Sequence, residues 1–123
     1  MLLAIAVEDN SVENINVAEH FGRCTGFILY EIDENNKIIK EGFSENPING
    51  TSGGTCQLPH VVNQIGANVI IAGGMGPKAI QLFNSYNIEV ITAPAIPVKE
   101  VLSLFLNGQV KGYQPCENHS HEC

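Results

Sequence analysis

At 123 residues and 44% hydrophobic content the chain is one domain, long enough to bury a core. A formal net charge of −7 argues against a nucleic-acid partner, because binding a phosphate backbone needs a basic face that releases counterions. Met1–Val7 runs straight into Glu8-Asp9, with no basic leader and too few residues for a membrane span. The chain therefore reads as cytoplasmic, where its four cysteines are thiols or metal ligands rather than disulfides.

Leu2–Val7 is a continuous apolar run, as in a strand buried on both faces. Gly26–Asp33 and Lys37–Ser44 read as two strands of a hairpin, joined by the turn Asp33-Glu34-Asn35-Asn36. A loop dense in turn residues spans Asn46–Thr55. The following helix carries Leu58, Val61, Val62 and Ile65 on one face and Gly66 at its C-terminal cap. Val69–Ala72 is a second buried strand, closed by Gly73-Gly74-Met75-Gly76-Pro77. Pro77 suits the first turn of a helix with Ala79, Phe83 and Tyr86 inward. Ile88–Thr92 is the last strand. Pro97 opens the last helix, with Val98, Val101, Leu102 and Phe105 in a stripe that stops at Gly108. Residues 1–110 thus form an α/β domain, and 111–123 read as a flexible Cys/His-rich tail.

The order βββαβαβα implies a mixed five-stranded sheet with spatial order 3-2-1-4-5, only the second strand antiparallel, and helices on both faces. The loops 8–25, 44–56, 73–77 and 93–97 then meet at the edge where the first and fourth strands end. Ligands of open α/β sheets bind at such an edge.

The residues gathered there are chemically selective. His20-Phe21-Gly22-Arg23-Cys24 holds the chain's single arginine between an imidazole and a thiol. His and Cys suit softer metals, and Arg is a fork for oxyanions. Gly73, Gly74 and Gly76 lead into a helix N-terminus, where small residues and free amides favour an anion. Gly53-Gly54-Thr55-Cys56 makes a second such approach, and a thiol there gains thiolate character. His60 follows Cys56 on the same helix face. The tail places Cys116, His119, His121 and Cys123 within eight residues. These are ligand types for zinc, copper or iron, in a spacing that matches no known finger. Extended, about fifteen residues reach roughly 50 Å, so the tail can return to the loop edge or cross to a partner subunit.

Asn16–Cys24, the Glu45-Asn46-Pro47 segment and Val69–Ala79 together resemble the dinitrogenase iron-molybdenum cofactor biosynthesis family, which includes NifX-like carriers and the C-terminal domain of NifB-type synthases. The resemblance spans roughly residues 2–110. It implies a ribonuclease H-like three-layer fold and non-catalytic carriage or scaffolding of an anionic metal-sulfur cluster, whether iron-sulfur, iron-molybdenum precursor or molybdenum-copper. His20 carries over best. Cys24, Cys56 and the tail belong to a subgroup, so the cargo stays open, as does any link to nitrogen fixation.

On this reading His20, Cys24 and Cys56 ligate metal, with Cys116, His119, His121 and Cys123 as further ligands. Arg23 and the Gly53-Gly54 and Gly73–Gly76 loops neutralise sulfide or oxo charge. The partners are the cluster and an assembly or recipient protein, the chain itself being a monomer or weak homodimer. An alternative is a zinc- or copper-binding regulatory or storage module built on the tail. A nuclease is remote, because two-metal hydrolysis needs converging carboxylates and the first strand interior has none.

Overall fold

The computed structural model describes residues 1–8, 15–46 and 58–109. Strand β1 (Leu2–Val7) lies at the centre of the sheet, its residues from Leu3 onward fully buried. β2 (Gly26–Ile32) pairs antiparallel with β1 from Gly26 to Glu31, and β3 (Ile38–Glu45) pairs antiparallel with β2 to form one edge. The hairpin turn is set by Asp33, whose Oδ1 accepts from the amides of Asn35 (2.8 Å) and Lys37 (2.9 Å). Asn36 takes the left-handed φ of 61° that such a turn requires.

On the other side, β4 (Val69–Ala72) runs parallel to β1, and β5 (Glu89–Thr92) runs parallel to β4. The spatial order is β3-β2-β1-β4-β5, with β2 alone reversed, as the sequence implied. Three α-helices, α1 (Leu58–Ile65), α2 (Pro77–Ser85) and α3 (Val98–Leu106), and a short 3-10 turn at Phe21–Arg23 complete the described elements.

Side-chain alternation splits the core into two layers. Ala4, Ala6, Phe27, Ile70, Ala72 and Val90 face α1 and α2. Leu3, Ile5, Val7, Ile28, Ile71 and Ile91 face α3. Small alanines on the two-helix side let the helices approach closely, and branched residues fill the side covered by one helix. Gly66 ends α1 at φ 92°, the left-handed cap its position suggested.

The inner faces of all three helices differ from expectation. In α1, Pro59 joins Leu58 and Val62 in the core, while Val61 and Ile65 are partly buried. In α2 the buried residues are Ala79, Ile80 and Phe83. Tyr86 falls at the C-cap beyond the last turn, where it leans on the core and sets its hydroxyl 3.4 Å from His60 Nδ1. In α3, Phe105 in the last turn is only partly buried, packed against the edge of the core. No helix among the described residues is long and apolar enough to cross a membrane.

Candidate functional site

The carboxyl edge of the sheet is crossed by an extended strap, residues 15–21. It exchanges backbone hydrogen bonds with three separate parts of the fold. Ala18 N donates to Ala6 O of β1 (2.7 Å). Gly73 N donates to Ala18 O (2.7 Å), Gly74 N to Glu19 O (2.5 Å), and Phe21 N to Gly74 O (2.9 Å). Val17 N donates to Ile96 O and Val98 N to Ile15 O, both 2.9 Å, which pins the loop after β5. The strap needs these partners because Val17, Ala18 and Phe21 are buried, and buried backbone groups must be paired. His20 and Gly74 end up as a parallel bridge, side by side at the switch point between β1 and β4.

Phe21 is the anchor of the His-Phe-Gly-Arg turn. Its ring is fully buried, 5.4 Å from Phe83 in an edge-on contact and 6.3 Å from Phe27. With Phe21 held inward, the preceding residue His20 sits half-buried on extended backbone (φ −129°, ψ 121°) at the start of the 3-10 turn Phe21–Arg23. Its amide donates to Glu8 Oε1 at 3.4 Å. Arg23 closes the turn.

Cys24 was expected as a ligand, yet it lies wholly inside the two-helix core layer with Ala18, Phe21 and Phe27. Burial, with a smaller contribution from nearby Glu8, pushes its thiol up to about 12, away from the thiolate that binds metal. Its carbonyl accepts from Asn46 Nδ2 at 2.8 Å, and the same amide nitrogen is 3.9 Å from Sγ. Asn46 is 4% exposed, the buried polar residue of the described core, and its own amide donates to Thr25 O. It ties the end of β3 to the His-Phe-Gly-Arg turn. In the sequence, Asn46 carries no mark of this role beyond its place in the Glu45-Asn46-Pro47 segment. Its signal was an amide side chain placed between a strand end and a proline.

The glycine loop is also used differently from expectation. The amides of Gly73 and Gly74 are spent on Ala18 and Glu19, so they do not face a ligand. Gly73 is glycine for space: a Cβ there would collide with the backbone carbonyls of Ala18 and Glu19. The open donors lie further on. Among the described residues, no acceptor meets the amides of Met75, Gly76, Lys78 and Ala79. Gly76 is the N-cap and Pro77 the first residue of α2, so the amides of Gly76, Lys78 and Ala79 are helix-start donors, with Met75 just before them.

Gly53, Gly54 and Cys56 lie outside the described residues, as do Cys116, His119, His121 and Cys123. Among the described residues no group of three or more His, Cys, Asp or Glu side chains could hold a metal ion. The described edge therefore offers one half-buried imidazole, a turn ending in arginine, and a row of helix-start amides.

A family model for the dinitrogenase iron-molybdenum cofactor matches residues 1–108. The chain belongs to that family. It is 33% identical over 106 residues to the protein MJ0580 of Methanocaldococcus jannaschii, an alignment covering 84% of this chain and 87% of that one. The crystal structure of PH0822 matches with a TM-score of 0.78 at 30% identity, over 92% of this chain and 96% of the other. The apo form of the orange protein from Desulfovibrio gigas matches with a TM-score of 0.77 at 26% identity, over 93% of each chain. The family match takes in the strap, the His20 turn, Asn46 and the glycine loop, and it stops short of the tail.

Proposed function

We propose that this protein carries or scaffolds an anionic metal-sulfur cluster at the carboxyl edge of its sheet and catalyses no reaction. One observation carries the reading: the strap sets His20 against Gly74, beside amides that have no acceptor in the described fold. A cluster of metal and sulfide is a fitting cargo for such a set. Imidazole donates to a soft metal, while helix-start amides and a guanidinium offset sulfide or oxo charge. In this assignment His20 and Cys56 are the ligands. Arg23, Lys78, the Gly53-Gly54 loop and the amides of Met75, Gly76, Lys78 and Ala79 supply positive potential. Cys24 is left out because it is buried among apolar side chains, which favours the thiol over the thiolate.

Membership of a cofactor family supports the reading, and the fold's kinship with a protein whose structure is an apo form agrees with it. The sheet order with β2 alone reversed also supports a ribonuclease H-like assignment. Iron-sulfur, iron-molybdenum-precursor and molybdenum-copper clusters all suit this donor set, and reconstitution decides among them. Anaerobic reconstitution with iron and sulfide, or with copper and tetrathiomolybdate, should give visible charge-transfer bands that stay with the protein on gel filtration. A protein that remains colourless and instead holds stoichiometric zinc, lost on deleting residues 111–123, would replace this reading with the metal-storage one.

A further inference from the structure

β3 is an outer strand of the sheet, and none of its residues is buried. Its backbone has an open side. Ile32 of β2 exchanges both of its bonds with Met1, and Asn46 N donates to Thr25 O at 3.0 Å. Bonding direction alternates along a strand. Lys40, Gly42 and Ser44 therefore bond inward to β2, while Glu41, Phe43 and Glu45 turn N–H and C=O off the edge.

Those three residues also share a face. Phe43 and Glu41 pair with Ile28 and Tyr30, which belong to the α3 side of the core. The pairing skips Ile39 between Lys40 and Ile38, a bulge that adds an isoleucine at the turn end of the row. Apolar and acidic groups thus alternate as Ile39, Glu41, Phe43 and Glu45, with Ile39 60% exposed and Phe43 45%. The Phe43 ring rests over Gly26, where a Cβ would collide with it, so this apolar anchor is already ordered. Neither Glu41 nor Glu45 has an ion-pair partner among the described residues. Lys40 is on the other face, opposite Glu31.

A second copy fits this row poorly. Antiparallel pairing about a two-fold axis at Glu41 sets that carboxylate against its own copy. An axis at Phe43 sets Glu41 against the copy's Glu45, and an axis at Gly42 sets Phe43 and Ile39 against carboxylates. Like charges directly opposite destabilise a strand pair, whereas opposite charges and apolar pairs stabilise it. The row's complement is a strand that alternates Lys or Arg with an apolar side chain.

We propose that β3 is a docking edge for an extended segment of another protein, one whose residues on this face alternate between basic and apolar. The segment adds as one more antiparallel strand, with its basic groups beside Glu41 and Glu45 and its apolar ones beside Ile39 and Phe43. The edge ends at the candidate site, since Glu45 leads into Asn46, which is bonded to Cys24 and Thr25 behind the His20 turn. That the docked protein gives or receives the cargo rests on the carrier reading; the docking itself does not.

The test uses the full chain without metal. The probe is the capped peptide Lys-Thr-Val-Thr-Lys-Thr-Val, and its control carries Glu in place of Lys. Amide resonances of Glu41, Phe43 and Glu45 should shift with the basic peptide, and the control should bind at least tenfold more weakly. Glu41→Lys/Glu45→Lys should reverse that preference, and Glu41→Gln/Glu45→Gln should abolish it; both positions are exposed, so the domain should stay folded. Equal binding of the two peptides by the unsubstituted protein, shifts outside the β2–β3 hairpin, or no shift at millimolar peptide overturns the proposal. A protein that sediments as a dimer, and that Ile39→Ser/Phe43→Ser makes monomeric, also overturns it, because a second copy is then the occupant. No readout needs a cluster, so failed reconstitution would sink the carrier reading while leaving the docking edge intact.

Discussion

Replacing Gly73 by alanine tests the strap more sharply than any change to a ligand. The new methyl group would sit against the carbonyl oxygens of Ala18 and Glu19, both backbone atoms that cannot swing aside. Relief requires the strap to lift, which breaks Gly73 N to Ala18 O and Gly74 N to Glu19 O. Each buried backbone hydrogen bond contributes about 0.5–1.5 kcal/mol, and a buried group left unpaired costs about 1–3 kcal/mol. A loss of roughly 2–4 kcal/mol follows, a large share of a small domain's total stability. At a slope of about 1.5 kcal/mol per molar, the urea midpoint should fall by roughly 1.3–2.7 M. Native-state hydrogen exchange should show lost protection at Gly74 and Phe21 while the β1 amides stay slow. Gly42→Ala is the control, since a Cβ there meets nothing within 4 Å. A Gly73→Ala protein that unfolds within 0.5 M of the unsubstituted one, with Gly74 still protected, would refute the strap as described.

Asn46→Ala removes the donor to the buried Cys24 carbonyl and should destabilise by about 1–3 kcal/mol, measured by urea unfolding. Asn46→Asp should be worse at neutral pH, since a carboxylate cannot donate to a carbonyl. The raised thiol of Cys24 gives a pH dependence of known sign. Below pH 9 both folded and unfolded states keep the proton; from the ordinary value of 9.0 to the folded value of about 12, only the unfolded state releases it. Stability should therefore be full below pH 9 and fall between 9 and 12, by at most about 4 kcal/mol. Tyr30, raised by burial and then by Glu41, acts in the same direction, so Cys24→Ala should remove part of the alkaline slope and Tyr30→Phe a further part. Identical slopes in all three proteins would contradict the buried thiol. Gly66→Ala, at φ 92° with open space around it, should cost about 1 kcal/mol through backbone strain alone, read as a small fall in melting temperature.

Much of the architecture was legible because it rests on local patterns. The apolar run Leu2–Val7 and the proline and glycine punctuation around α1, α2 and α3 all report backbone constraints that neighbours do not override. Strand order followed from short connections and right-handed crossovers, and it carried the convergence of loops at one edge. The site was less legible because its determinants are long-range. Nothing in Gly73-Gly74 reveals that carbonyls more than fifty positions earlier consume their amides. A five-residue turn has no period, so the inward position of Cys24 could not be told from an outward one. Asn46 bonds across from β3 to Cys24, a pairing fixed only once the hairpin closes. The exposure of β3 left a fainter trace: Lys37-Ile38-Ile39-Lys40-Glu41-Gly42-Phe43 lacks a clean alternation, as suits an edge strand without a cover on its outer row.

The central claim is that the carboxyl edge holds metal and sulfide together, with His20 as a ligand. The direct measurement is metal and acid-labile sulfide content after anaerobic reconstitution and gel filtration, for the unsubstituted protein and for His20→Ala. His20 is half-buried and outside the core, so its replacement should leave the urea midpoint nearly unchanged. Metal and sulfide should co-elute with the unsubstituted protein in fixed ratio and fall together in His20→Ala. Metal bound without sulfide, or sulfide and metal retained in full by His20→Ala, would contradict it.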